Sequence, residues 1–194
     1  MKDVSVKVYK FDELSPRVQE KIRDRRRENM DLSDQLSDIF TYRLSEIGFP
    51  TGDVRYNLSR SQGGGVAFYG VIPDTLKLFT YLEKEGVDVS SVKPYADGIE
   101  IKIKKSAAFH LYNHENTMNV CISGGPVPED AKIPWGAIET VIQKYVKKIS
   151  LELKSEGDDL VDSCTSDEYL NKELKEDDLW YFENGHMYIE VHRF

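Results

Sequence analysis

Cysteine is scarce in this chain, and the short motifs that usually announce an enzyme are missing altogether. The two cysteines, Cys121 and Cys164, are far apart and fit neither a metal-ligand spacing nor a CxxC redox pair. Unpaired thiols in a reducing compartment are therefore expected. No apolar run reaches the length of a membrane span, and no apolar segment follows the N-terminal residues as in an export signal. GxGxxG, Walker A, HExxH and GxSxG are all absent, which removes the usual dinucleotide, phosphate-loop, zinc-protease and serine-hydrolase readings. The acidic pairs Asp158-Asp159 and Asp177-Asp178 are sequence neighbours whose side chains diverge, so they do not form an acid–base pair of the glycosidase kind. Internal repeats, low-complexity runs and obvious linkers are missing as well.

What the chain does have is core material. Of 194 residues 40% are hydrophobic, with eleven tyrosines and eight phenylalanines, too much for a disordered chain and enough for one sizeable core. The formal net charge is −8, unevenly spread. Residues 17–27 carry six basic and two acidic side chains, whereas residues 152–183 carry twelve acidic and three basic ones. An acidic balance argues against direct nucleic-acid binding, which depends on neutralising phosphates. The basic stretch is expected to be a solvated helix face.

The patterning predicts a single α+β domain, an antiparallel sheet of hairpins covered by helices, with a helical part over 15–48, a β-rich part over 53–124, and helices and a hairpin over 130–194. Alternation of Val4, Val6 and Val8 predicts a short strand. Ser15-Pro16 supplies an N-cap and first-turn proline for a helix to about Asn29, its apolar stripe being Leu14, Val18 and Ile22. A second helix runs from about Leu32 to Ile47 and stops at Gly48 and Pro50. Strands over 54–60 and 66–71 flank a glycine turn. Pro73-Asp74 opens a helix to about Glu85 with Leu76, Phe79 and Leu82 at helical spacing. Strands follow at 99–104, 107–112 and 117–123, with a turn at 113–116. A long helix over 134–155 points Trp135, Ile138, Ile142, Tyr145 and Ile149 inward. Thr165-Ser-Asp-Glu168 matches a capping box for a last helix. Asn184-Gly185 suits a type I′ turn in a hairpin between 179–182 and 187–191.

The most distinctive segment is Ser59-Arg60-Ser61-Gln62-Gly63-Gly64-Gly65. Glycines expose their amides and admit a close approach, so the loop is either a tight turn or bulge, or a cradle for a ligand or partner. In the ligand reading Arg60 supplies a bidentate charge for phosphate or carboxylate, oriented by the hydroxyls and the Gln62 amide. His110 and Tyr112 would join that site if their strand lies beside it. His110 and His114 fall four apart, a metal-pair spacing on a helix but not on a strand leading into a turn; with no HExxH pattern and only Glu115 as an adjacent carboxylate, no metal or cofactor is expected. The aromatics of the tail, Trp180, Tyr181, Phe182, Tyr188 and Phe194, serve either as hairpin core or as partner anchors.

Three segments together carry a family resemblance: Phe11-Asp-Glu-Leu-Ser-Pro16, the central Ser59–Gly70 stretch, and Thr165-Ser-Asp-Glu168 leading to Glu183-Asn-Gly185. In their order and motifs the chain resembles a group of small bacteriophage and prophage proteins of unknown function, some bearing an antitoxin label. Gly64 stands where that pattern usually has Asp, so no carboxylate role is expected there. The resemblance implies a phage or mobile-element origin, the host cytoplasm, and a non-enzymatic accessory protein that acts by binding a host protein, inhibition of a defence system being one such role. It transfers no catalytic residue. Alternatives stay open: a protein that sequesters or hydrolyses a small phosphorylated ligand, an acidic nucleic-acid mimic, or a homo-oligomerising structural module.

Overall fold

In the computed structural model, residues 5–58, 64–107, 112–124 and 133–189 are described. By its internal contacts the chain divides into two compact units, Met1–Leu32 with Asp159–Phe194, and Ser33–Asp158. The division falls between the first two helices, where the sequence pattern alone groups them together.

The second unit holds the sheet. Strands β1 (Asp53–Asn57), β2 (Gly65–Val71), β3 (Glu100–Lys105) and β4 (Met118–Ser123) pair antiparallel in the order β1-β2-β3-β4. β3 and β4 alternate as expected for a sheet with one covered face: Ile101, Ile103, Met118 and Val120 are buried, while Glu100, Lys104, Asn119 and Ser123 are exposed. Residues Gly65 to Tyr69 of β2 are instead buried on both faces. The helices α2 (Ser33–Ile47), α3 (Thr75–Lys84) and α4 (Trp135–Thr165) surround this core. α2 brings Leu36, Phe40, Leu44 and Ile47 inward, and Phe40 meets the Tyr56 ring edge-on at 5.2 Å. Asp74 caps α3 through the Lys77 amide at 2.8 Å. The fold is α+β, an antiparallel sheet with helices packed on it.

α4 is ten residues longer at its C-terminal end than its apolar spacing suggests, ending at Thr165 rather than Ser155. From Ile138 through Ile142, Val146, Ile149 and Leu153 it presents one buried stripe, while Trp135 and Tyr145 are half-buried. Gln143 accepts from the Val120 amide at 2.8 Å and donates to the Met118 carbonyl at 2.9 Å, which occupies backbone groups of β4, a strand paired on one side only. In α3 the buried residues are Thr75, Leu78, Phe79 and Leu82; Leu76, expected inward, lies at the edge of that face and is 47% exposed.

The first unit contains α1 (Pro16–Glu28) and α5 (Asp167–Glu176), with Phe11, Leu14, Ile22, Leu174 and Tyr181 as its core. No strand forms over residues 5–8; only Tyr9 bridges, to Tyr181. An alternating triplet cannot make a strand without a partner to complete its ladder. Ser166, not Thr165, caps α5 by accepting from the Tyr169 amide, and Thr165 belongs to α4. The hairpin turn is not type I′. The Gly185 amide donates to the Phe182 carbonyl, the Phe182 amide donates to the His186 carbonyl, and Gly185 alone takes a left-handed φ of 85°. That is a three-residue turn with a glycine bulge.

The basic helix is a solvated face only in part: Arg17, Lys21 and Arg25 are exposed, whereas Arg23, Arg26 and Arg27 are paired. Arg26 binds Glu173 at 2.7 Å and Asp177 at 3.3 Å. Arg23 and Arg27 both reach Asp167 and Glu20, and the Arg27 guanidinium also donates to the Thr165 carbonyl at 3.0 Å. The basic and acidic stretches of the sequence thus neutralise each other across α1 and α5. Hydrogen bonds from Arg23 first, then Arg27, hold the Glu20 carboxyl below its ordinary value of 4.5. A carboxyl depressed in the folded state stabilises above the ordinary carboxylate range and loses that contribution as pH falls through its folded value. Acid titration is therefore expected to loosen this unit progressively below about pH 4.5. Glu20→Gln should flatten the acid limb of a stability-versus-pH curve followed by Trp180 fluorescence. An unchanged limb would remove Glu20 from the account.

Candidate functional site

Of the residues singled out in the glycine loop, Ser59, Arg60, Ser61, Gln62 and Gly63 lie outside the described residues, as does His110. Gly64, Gly65 and Tyr112 are described. Residues Ala107 and Tyr112 belong to no strand, so the expected strand over 107–112 does not place Tyr112 in the sheet. Tyr112 leads into His114, which precedes a single 3-10 turn, Glu115–Thr117, that feeds directly into β4.

This turn lies against the end of the glycine segment. A Cβ built on Gly65 would stand 2.8 Å from the His114 Cβ, 2.9 Å from its Cα and 3.1 Å from the Asn113 carbonyl. The glycine is thus needed for backbone-to-backbone packing, and Gly65 takes no left-handed φ. Among the described residues β2 and β3 pair at Gly70 and Val71, away from this contact. Further along β2, the Phe68 amide donates to the Met118 thioether at 3.2 Å in place of a strand partner.

The polar groups of the turn are mostly engaged. Thr117 is fully buried; its hydroxyl bonds the Tyr69 hydroxyl at 3.0 Å and donates to the His114 carbonyl at 2.7 Å. Burial raises the Tyr69 phenol above its ordinary value of 10.0, so it remains a neutral hydrogen-bonding group. His114 Nδ1 accepts from the Asn116 amide at 3.2 Å, which leaves the proton of the neutral ring on Nε2. Its ring lies 6.1 Å from that of Tyr112. Asn113 Oδ1 is buried and has no hydrogen-bond partner.

Cations gather around Tyr69. The Arg55 guanidinium lies 5.8 Å from its ring centroid and the Lys105 ammonium 5.9 Å. Arg55 is held by Asp53 at 2.7 Å and Lys102 by Glu100 at 2.6 Å. Lys104 contributes, after Lys102, to holding the Glu100 carboxyl below its ordinary value. These four cations were not singled out from the sequence; for three of them the signal was there in the alternation Glu100-Ile-Lys-Ile-Lys-Lys105, whose lysines fall outside the buried isoleucine positions. Both cysteines are free, Cys164 buried and Cys121 half-buried on β4. Among the described residues no group of three or more His, Cys, Asp or Glu could hold a metal ion, and no helix is long and apolar enough to cross a membrane.

The candidate site is therefore a hydrogen-bonded turn packed on a glycine strand end, with cations beside it. Comparison with known proteins adds no name: no family model, curated protein or solved structure matches this chain.

Proposed function

We propose that this chain is a non-enzymatic binding protein whose contact surface is the turn from Tyr112 to Thr117 together with the end of the glycine loop and the neighbouring cations Lys104 and Lys105. The observation that carries this is the packing of the His114 turn on Gly65: it fixes a shape. The hydroxyls of Tyr69 and Thr117 and the Nδ1 of His114 are spent holding that shape, which suits recognition better than proton transfer. The lysine ammoniums at its border favour an acidic partner surface and mainly speed its encounter. Joined to the phage resemblance, the partner is a host protein, the setting is the host cytoplasm, and inhibition of a defence system is the role. Arg60 and the loop hydroxyls, which lie outside the described residues, are tested with it.

The acidic-mimic alternative is less favoured. Asp167, Glu173, Asp177 and Asp178 are paired with Arg23, Arg26, Arg27 and Lys10, and Glu156 with Arg43, so much of the acidic stretch is neutralised within the chain. The test is affinity capture from host lysate, with native mass spectrometry of the purified protein. A stoichiometric host protein retained by the wild type and lost from Lys104→Glu/Lys105→Glu, and from Arg60→Ala, is expected. Identical capture by all three would overturn this surface. A bound nucleotide released on denaturation would shift the assignment to the phosphorylated-ligand alternative.

A further inference from the structure

A second feature is independent of that surface. Within the unit built from residues 1–32 and 159–194 lies a cleft of about 180 Å³. Its walls are Ile22, Leu174, Leu179, Tyr181 and Met187. Ile22, Leu174 and Tyr181 are core residues, whereas Met187 is 48% exposed. A cavity of roughly 150 Å³ with apolar walls holds a benzene-sized group. This cleft therefore has room for one aromatic or branched aliphatic group and little more.

Two guanidiniums border it, and they differ. Arg26 is committed to Glu173 and Asp177. Arg25 is exposed and gives one side-chain hydrogen bond, from Nη1 to the Gly185 carbonyl at 3.2 Å. Among the described residues it has no carboxylate partner, although its helix neighbours Arg23, Arg26 and Arg27 all do. Its remaining N–H groups keep the planar fork that matches a carboxylate. The bond to Gly185 ties that fork to the hairpin forming one wall, so the charge is placed before a ligand arrives. A bare phosphate would satisfy the arginine but leave the apolar walls unfilled. A neutral hydrocarbon would do the reverse.

We infer that this cleft is a binding site for an apolar carboxylate, with its hydrocarbon group among Ile22, Leu174 and Met187 and its carboxylate on Arg25. The ligand is either a free arylalkyl acid or the C-terminal residue of a partner peptide. The chain has four methionines, of which Met187 alone lines the cleft. The experiment is a titration of 13C-methyl-methionine-labelled protein with 3-phenylpropionate, with the neutral 3-phenylpropanol, and with a short peptide ending in phenylalanine as acid and as amide. We expect the Met187 methyl resonance to move with the acids while that of Met118, in the other unit, stays still. Affinity should fall about tenfold for the propanol, for the peptide amide and in Arg25→Gln, as loss of a charge-assisted pair requires. A peptide acid binding more tightly than 3-phenylpropionate marks a chain terminus as the source, and equal binding marks a free acid. Failure of every acid to move Met187 at millimolar concentration would overturn the site. So would equal binding of acid and alcohol, or full affinity in Arg25→Gln with its methyl spectrum otherwise intact.

Discussion

Phe68→Ala is expected to be the most destabilising of the changes considered, by about 3–5 kcal/mol, the usual cost of emptying a buried phenylalanine site. Phe68 is wholly inaccessible and its ring lies 5.2 Å from that of Phe49. It sits on β2, the strand buried on both faces, where the surroundings cannot collapse without moving β1 and Met118 together. The chain has two tryptophans, Trp135 in the second unit and Trp180 in the first. In a Trp180→Phe background, urea unfolding followed by Trp135 reports on the unit that holds the sheet. The midpoint should fall while the slope stays constant, since the surface exposed on unfolding is unchanged. A loss below about 1 kcal/mol would mean that Phe68 does not occupy the core as described.

Gly65→Val comes second, with an expected cost of about 1–3 kcal/mol from overpacking. The penalty is steric. Gly65 needs no left-handed φ, but the new side chain would enter the space taken by the His114 Cα and Cβ and the Asn113 carbonyl. Those atoms belong to a turn fastened by Thr117 to Tyr69, so they cannot yield by a simple rotamer change. Gly65→Ala should show a smaller effect in the same direction. Gly52→Ala, with nothing within 4 Å of the added carbon, should stay within about 0.5 kcal/mol of wild type. Gly65→Val is also expected to abolish capture of the proposed partner, because displacing the turn moves Tyr112 and His114. Gly65→Val that unfolds and binds as wild type does would remove the turn-on-glycine contact from both accounts.

Much of the fold was legible in the sequence wherever a local signal was sufficient. Helices α1, α2 and α3 begin and end within a residue or two of the boundaries set by Ser15-Pro16, Gly48 and Asp74, because caps and breakers act through neighbouring backbone groups. The β1–β2 hairpin and the strand over 100–105 followed from alternation. The misses are of another kind. Residues 5–8 alternate but find no ladder. Leu76 has helical spacing but lies at the edge of the buried face of α3. α4 runs on to Thr165 past a stretch rich in charge, because Leu153, Gly157 and Cys164 keep a buried side there.

For the candidate site, the sequence pointed to the glycines and to Tyr112, and the loop residues Ser59 to Gly63 and His110 lie outside what is described. Nothing local could have announced that Gly65 touches His114, forty-nine positions on, or that Tyr69 bonds Thr117.

By itself the sequence determined the main helices, the α+β class and the uneven charge, since these rest on periodicity, capping and composition. Only the tertiary structure decided what the charge is for. Arginines spaced along one helix become internal partners when an acidic helix more than 130 residues away packs beside them. Arg25 stays without such a partner because its position on the helix faces the apolar cleft and the hairpin instead. Helical geometry makes residues one apart face different neighbours, and which neighbour each meets is settled by packing rather than by order along the chain.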